Sequence, residues 1–239
     1  DVNGDGYADV IIGAPGYTNG QEKEGAALVY HGSAGGLTTV NWTVESNQKD
    51  ASLGWSVASA GDINADRYDD VIVGAPWYSN GQTNEGKAFV YHGSASGLTS
   101  VNWTVESNQE GSFFGFSVST AGDVDKDGYD EVIVGADFYD NAQEKEGAAF
   151  VYHGSASGLQ TTMAWMGESD QEYGYYGRSV AAAGDVDKDG FADVVVGAPG
   201  FDRGGTFDCG ADFVYRGGAA GSFFLIPNPS GGATLIYLD

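Results

Sequence analysis

The sequence predicts an all-β architecture of propeller type, made of about four four-stranded blades, on the strength of three observations. An internal repeat recurs every 61 to 62 residues, glycine and aromatics are abundant while proline is scarce, and no apolar run carries a helical period. The repeat is clearest in Ala60-Gly61-Asp62-Ile63-Asn64-Ala65-Asp66, which returns as Ala121-Gly122-Asp123-Val124-Asp125-Lys126-Asp127 and as Ala183-Gly184-Asp185-Val186-Asp187-Lys188-Asp189. A truncated copy opens at Asp1. The units fall near residues 1–52, 53–113, 114–175 and 176–239, forming one propeller-type domain or a propeller fragment.

Within the second unit four β segments are expected, from Gly54 to Ala60, Asp70 to Ala75, Gly86 to His92 and Val101 to Glu106. Each is rich in Val, Ile, Phe, Tyr or Trp and is bounded by Gly, Asn, Asp and Ser clusters. Four short strands per repeat is the size of a propeller blade. The first unit lacks its opening strand, and the last drifts after Gly217 into Phe223-Phe224-Leu225-Ile226-Pro227. Thr234-Leu235-Ile236-Tyr237 is a candidate strand to complete the first blade and hide its edge. The alternatives are a larger parent ring or two chains that pair as a homo-oligomer.

With 34 acidic residues against 10 basic ones, the formal charge is −24. Such a charge repels nucleic-acid phosphates and anionic lipid headgroups, and it opposes compaction unless cations are bound. Neither nucleic acid nor membrane insertion is therefore expected, since no apolar run approaches the ~20 residues of a span. The single Cys209 allows no intrachain disulfide and reads as a small, semi-buried residue.

The charge concentrates in a loop of form Asp-x-(Asp/Asn)-x-Asp-Gly-x-x-(Asp/Glu), read in four copies of which the second departs at the glycine. The copies are Asp1, Asn3, Asp5, Tyr7 and Asp9; Asp62, Asn64, Asp66, Tyr68 and Asp70; Asp123, Asp125, Asp127, Tyr129 and Glu131; and Asp185, Asp187, Asp189, Phe191 and Asp193. Alternate side-chain oxygens in a tight loop converge on one hard cation, with the seventh residue offering its carbonyl and the ninth a carboxylate. Calcium, which accepts six to eight oxygens in a flexible cage, fits better than magnesium. Up to four Ca2+ ions are expected. Three loops carry a glycine at the turn, Gly4, Gly128 and Gly190, where the second has Arg67. A non-glycine residue forced to positive φ costs about 1 kcal/mol, so the second site is expected to be the weakest of the intact loops. A buried-strand pattern, Val71-Ile72-Val73-Gly74-Ala75, follows the loop where an EF-hand would begin a helix.

Phe114-Gly115 before the loop and Gly74-Ala75-Pro76 after it resemble the FG-GAP repeat, the blade unit of the integrin alpha-subunit propeller and of many bacterial surface proteins. The other copies carry Leu53-Gly54 and Tyr176-Gly177, then Gly13-Ala14-Pro15, Gly135-Ala136-Asp137 and Gly197-Ala198-Pro199. The resemblance runs to about Gly218 and implies a calcium-binding, integrin alpha-like β-propeller. Its usual seven blades exceed the four present here. It also implies an extracellular or cell-surface setting, with ligand contact on one face. The family includes adhesion receptors, a sugar-binding propeller and propellers attached to hydrolases, so fold alone does not fix function.

Strand parity puts the loops between first and second strands on one face and the loops between second and third on the other. The second face should carry Tyr17, Trp77, Tyr78, Tyr139 and Phe201, suited to stacking on a sugar or docking a protein loop. An aromatic in each repeat equally suits packing between blades. Glu24, Glu85 and Glu146 recur as structural or solvated acids, and His31, His92 and His153 belong to a repeated Tyr-His-Gly-Ser turn whose fourth copy has Arg216. Asn41 and Asn102 stand in Asn-Trp-Thr sequons. No nucleophile with its base, phosphate loop or zinc pattern is present, so no enzyme is expected. The expected function is an adhesion or ligand-binding module for a protein or glycan. A self-assembling scaffold unit and a sugar-binding propeller are the alternatives.

Overall fold

The structure is a computed structural model that describes residues 1–37, 39–203 and 209–225. Its strands form four antiparallel sheets, each a meander in chain order. The first contains β1 (Val10–Ala14), β2 (Ala26–Tyr30) and β3 (Val40–Glu45). The second contains β4 (Ser56–Gly61), β5 (Asp70–Ala75), β6 (Lys87–Tyr91) and β7 (Val101–Glu106). The third contains β8 (Ser117–Gly122), β9 (Glu131–Ala136), β10 (Ala148–Tyr152) and β11 (Trp165–Glu168). The fourth contains β12 (Ser179–Gly184), β13 (Asp193–Ala198), β14 (Ala211–Arg216) and β15 (Phe224–Leu225). The candidate closing strand, Thr234 to Tyr237, lies outside the described residues.

The sheets stack like blades. Leading strands β4, β8 and β12 abut in turn, and three apolar cores fill the seams between first and second, second and third, and third and fourth sheets. Among the described residues no such core joins the fourth sheet to the first. The second strand of each inner sheet is enclosed by both neighbours, which is why the unalternating runs of β5 and β9 are buried throughout. β1 has a matching sequence but, among the described residues, no leading strand beside it, and Ile12 is 46% exposed.

The glycine motifs are the joints of this stack. A Cβ on Gly13, Gly74 or Gly135 would lie 2.0 Å from the carbonyl oxygen of Gly54, Gly115 or Gly177 in the following blade. Those partner glycines hold φ of 81°, 84° and 82°, a region that glycine enters without strain. Their amides donate to Gly74, Gly135 and Gly197 of their own blade. The preceding Leu53, Phe114 and Tyr176 are buried and bridge to Gly25, Gly86 and Gly147 of the blade before. The paired motifs thus mark where two backbones touch at a blade seam.

Candidate metal centres and the face opposite them

The second, third and fourth acidic loops are each aimed by a bulge. The register between first and second strands slips at Ser59/Gly61, Thr120/Gly122 and Ala182/Gly184, where the glycine takes positive φ and turns the chain out of the sheet. The first loop carboxylate then gathers backbone amides. Asp123 accepts from Asp127 and Gly128, both at 3.0 Å, and Asp185 does the same with Asp189 and Gly190. Asp1 and Asp62 repeat the pattern. The ninth residue is bound at both oxygens. Asp9 accepts from Val2 and Gly32, Asp70 from Ile63 and Gly93, Glu131 from Val124 and Gly154, and Asp193 from Val186 and Gly217. That second bond anchors the loop to the end of the third strand.

In the third loop Asp123, Asp125 and Asp127 bring one oxygen each within 4.8 Å of one another, and Asp185, Asp187 and Asp193 do so in the fourth. The first two loops have an amide at the third position. Asn3 and Asn64 present Oδ1 inward, to the amides of Asp5 and Asp66, while their Nδ2 atoms reach the carboxylates of those residues. Tyr7, Tyr68, Tyr129 and Phe191 each donate their amide to the fifth-position aspartate. Burial raises the Asp70 carboxyl to about 7 and that of Glu131 to about 8, and it pushes Asp125 and Asp193 up as well. Carboxylates that resist ionising without a counter-charge are suited to one bound cation.

The turn glycine needs re-registering. Position by position, Arg67 matches Gly6, whereas Gly4 matches Ala65, Lys126 and Lys188. Both positions take positive φ in every loop, 75° at Arg67 against 88° to 93° at Gly6, Gly190 and Gly128. The left-handed geometry behind the expected strain at Arg67 is therefore present.

Two features were not foreseen. The loops also tie each blade to the next: Asp1 and Val2 accept amides from Asp69 and Ser94, Asp62 and Ile63 from Asp130 and Ser155, and Asp123 and Val124 from Ala192 and Gly218. The histidines, assigned from sequence to a turn, also face the third loop position. His31 Nδ1 lies 3.2 Å from Asn3, His92 Nδ1 3.4 Å from Asn64, and His153 Nδ1 3.5 Å from Asp125, while Arg216 pairs with Asp187 at 3.0 Å. Their shared spacing from the loop was the available signal.

On the opposite face the expected aromatics divide. Tyr78, Tyr139 and Phe201 turn inward onto Phe89, Phe150 and Phe213, at 5.8, 5.4 and 5.4 Å, and join the cores. Tyr17, whose blade has Leu28 in place of that phenylalanine, is 40% exposed. Trp77 belongs instead to a ladder in the order Phe116, Trp55, Trp77, Phe113, Phe138, Tyr175, Tyr173, with centroids 4.6 to 6.4 Å apart. None of its members is buried, and it runs from the second repeat unit across the third. Arg178 covers Phe116, and Lys145 covers Phe138 and Tyr173. A cleft of about 400 Å³ beside Trp55 and Trp77 is lined also by Pro15, Lys23 and Asp50. The ladder was missed because most of its rings flank the motif glycines rather than recurring at one repeat position.

The FG-GAP repeat family model matches residues 1–30, 53–91, 114–152 and 176–220. Integrin alpha pat-2 of Caenorhabditis briggsae is 33% identical over 217 residues, covering 83% of this chain and 17% of the relative. Human integrin alpha-6 is 37% identical over 137 residues, 57% of this chain and 12% of its own length. Integrin alpha-5 of Xenopus laevis is 29% identical over 237 residues, 94% of this chain and 21% of that protein. The chain thus spans about a fifth or less of the relatives it matches.

Proposed function

The chain belongs to the FG-GAP repeat family, and from that membership we propose that it is a calcium-stabilised, integrin alpha-like propeller module of the cell surface or extracellular space. In this reading it binds a protein or glycan ligand on the face opposite its metal loops and performs no catalysis. The observation that carries the binding role is the aromatic ladder from Phe116 to Tyr173, a solvent-accessible row of rings along the edge of adjoining blades. Rings left in water give up apolar area unless a partner covers them, and Trp and Tyr supply contact area with few rotors to freeze.

Four Ca2+ ions would be held by Asp1, Asn3, Asp5, Tyr7 and Asp9 and by the matching residues of the later loops, with the seventh residue acting through its carbonyl. The metal would supply folding energy and stiffness, because the last three loops each join two strands of their own blade and the first three hydrogen-bond to the next blade. Millimolar external calcium fills loops of this kind without demanding tight affinity.

The binding test is retention on arrays of glycans and extracellular proteins, comparing the wild-type chain with Trp55→Ala and Trp77→Ala. Saturable, calcium-dependent retention that both variants lose supports the reading. Retention unchanged in variants of unchanged melting temperature refutes the ladder as the binding surface. A second reading, a unit completed by further blades or by another copy, draws on the first and fourth sheets, where among the described residues Ile12 and Val186 are 46% and 41% exposed. A monomeric mass in solution at high concentration counts against self-assembly.

A further inference from the structure

We propose that the third blade holds one more divalent cation, outside the four loops, at Glu146, Glu168 and Asp170 on the aromatic-ladder face. One oxygen from each of these carboxylates lies within 4.8 Å of the others. Glu146 is 0% exposed. Its Oε1 accepts the amides of Asn141, Ala142 and Gln143 at 2.7, 2.8 and 3.2 Å, while its Oε2 is buried and has no hydrogen-bond partner. Glu168 takes only the side-chain amide of Asn141, at 3.1 and 2.9 Å. A buried carboxylate oxygen without a donor is costly, and a cation relieves it.

The repeat supplies an internal comparison. The second blade has the same pair, Glu85 and Glu106, with Asn108 where the third has Asp170. There Lys87 lies 3.4 Å from Glu106, so a protein ammonium stands beside the paired acids. In the third blade that lysine is Ala148, and the asparagine has become a third carboxylate. Positive charge is removed and negative charge added at one place, as a bound cation requires. The first blade, with Glu24, Glu45 and Asn47 beside Ala26, has neither the lysine nor the third acid; Oε2 of Glu24 and of Glu85 is also buried without a hydrogen-bond partner, so the exchange of charges is what singles out the third blade. The donors are all oxygen, so the ion is Ca2+, Mg2+ or Mn2+ rather than a metal seeking sulfur or imidazole.

The site is independent of the four-loop reading and is tested apart from it. Mn2+ is added to the isotopically labelled chain, and paramagnetic broadening is followed at the amides of Asn141, Ala142 and Gln143. The expected result is broadening there at equimolar Mn2+ that requires about tenfold or more additional metal in Glu168→Gln/Asp170→Asn. Broadening at the Gly190 and Phe191 amides of the fourth loop should be equal in both proteins, which also reports an intact fold. A complementary variant, Lys87→Ala/Asn108→Asp, should create the site in the second blade and broaden Asn80, whose amide bonds Glu85 Oε1. Equal broadening of Asn141 to Gln143 in the wild type and the double variant overturns the proposal, as does none in the wild type. If the loss variant does not fold, failure of the complementary variant to broaden Asn80 overturns it.

Discussion

Gly74→Ala tests the claim that the paired glycine motifs are blade joints. The new methyl would sit 2.0 Å from the Gly115 carbonyl oxygen and 2.4 Å from Ser56 Oγ, where ordinary contact begins at 3.4 Å. The obstructing atom is backbone of the next blade, so the seam must open by about 1.4 Å. That displacement strains the bond from Ser56 Oγ to Gly115 O, now 2.8 Å, a contribution of about 1 kcal/mol. Overpacking adds about 1–3 kcal/mol, and the lower entropy of alanine in the unfolded chain returns about 0.5 kcal/mol. The net loss is about 1.5–3.5 kcal/mol, or roughly 3–14 °C in melting temperature for a domain of this size. Gly74 is not at positive φ, so no backbone strain adds to this sum. Gly16→Ala, with nothing within 4 Å of the added methyl, is the control. Thermal unfolding by circular dichroism in saturating calcium reads both. If Gly74→Ala melts within 1 °C of Gly16→Ala, on the order of the measurement error, the joint argument is wrong.

Arg67→Gly should relieve positive φ in the second loop by about 1 kcal/mol and tighten the weakest calcium step by about fivefold, read by titration calorimetry. An unchanged weakest step would place the weak site elsewhere. Asp125→Ala removes a carboxylate from the third loop and should lower the melting temperature in calcium while leaving it nearly unchanged in chelator. Equal losses in both conditions would mean that Asp125 acts without metal. Asp137, fully buried, has its carboxyl pushed up to about 6, by burial first and against the Arg178 guanidinium 2.8 Å away. The folded state therefore holds this proton more tightly than the unfolded state does. The resulting stabilisation is complete below about pH 4 and is lost as pH rises through 6, about 3 kcal/mol in total. Asp137→Pro, which installs the residue found at Pro15, Pro76 and Pro199, should melt higher than wild type at pH 8 and lose that advantage at pH 4. An advantage independent of pH would assign the gain to proline stiffness alone.

Much of this architecture is legible in one dimension. A period of 61 to 62 residues, four apolar runs per period and a repeated acidic loop specify blades and metal-ready turns, because each feature depends on neighbours close in the chain. Loop oxygens converge through local turns, so Asp123, Asp125 and Asp127 could be grouped before any coordinates. What the tertiary structure alone decided is whatever depends on the next blade. Ile12 and Val73 occupy the same place in their repeats, yet Ile12 is 46% exposed and Val73 0%, because among the described residues Val73's sheet has a leading strand and a blade on either side and Ile12's sheet has neither. Tyr78 and Trp77 are adjacent in sequence, but one enters a core and the other joins a surface ladder. Glu146 read as one of three recurring acids until Glu168 and Asp170, more than twenty residues later, were brought beside it by the pairing of β10 with β11. Local chemistry needs only its own loop, whereas burial and charge clustering are set by which distant segments the packed sheets bring together.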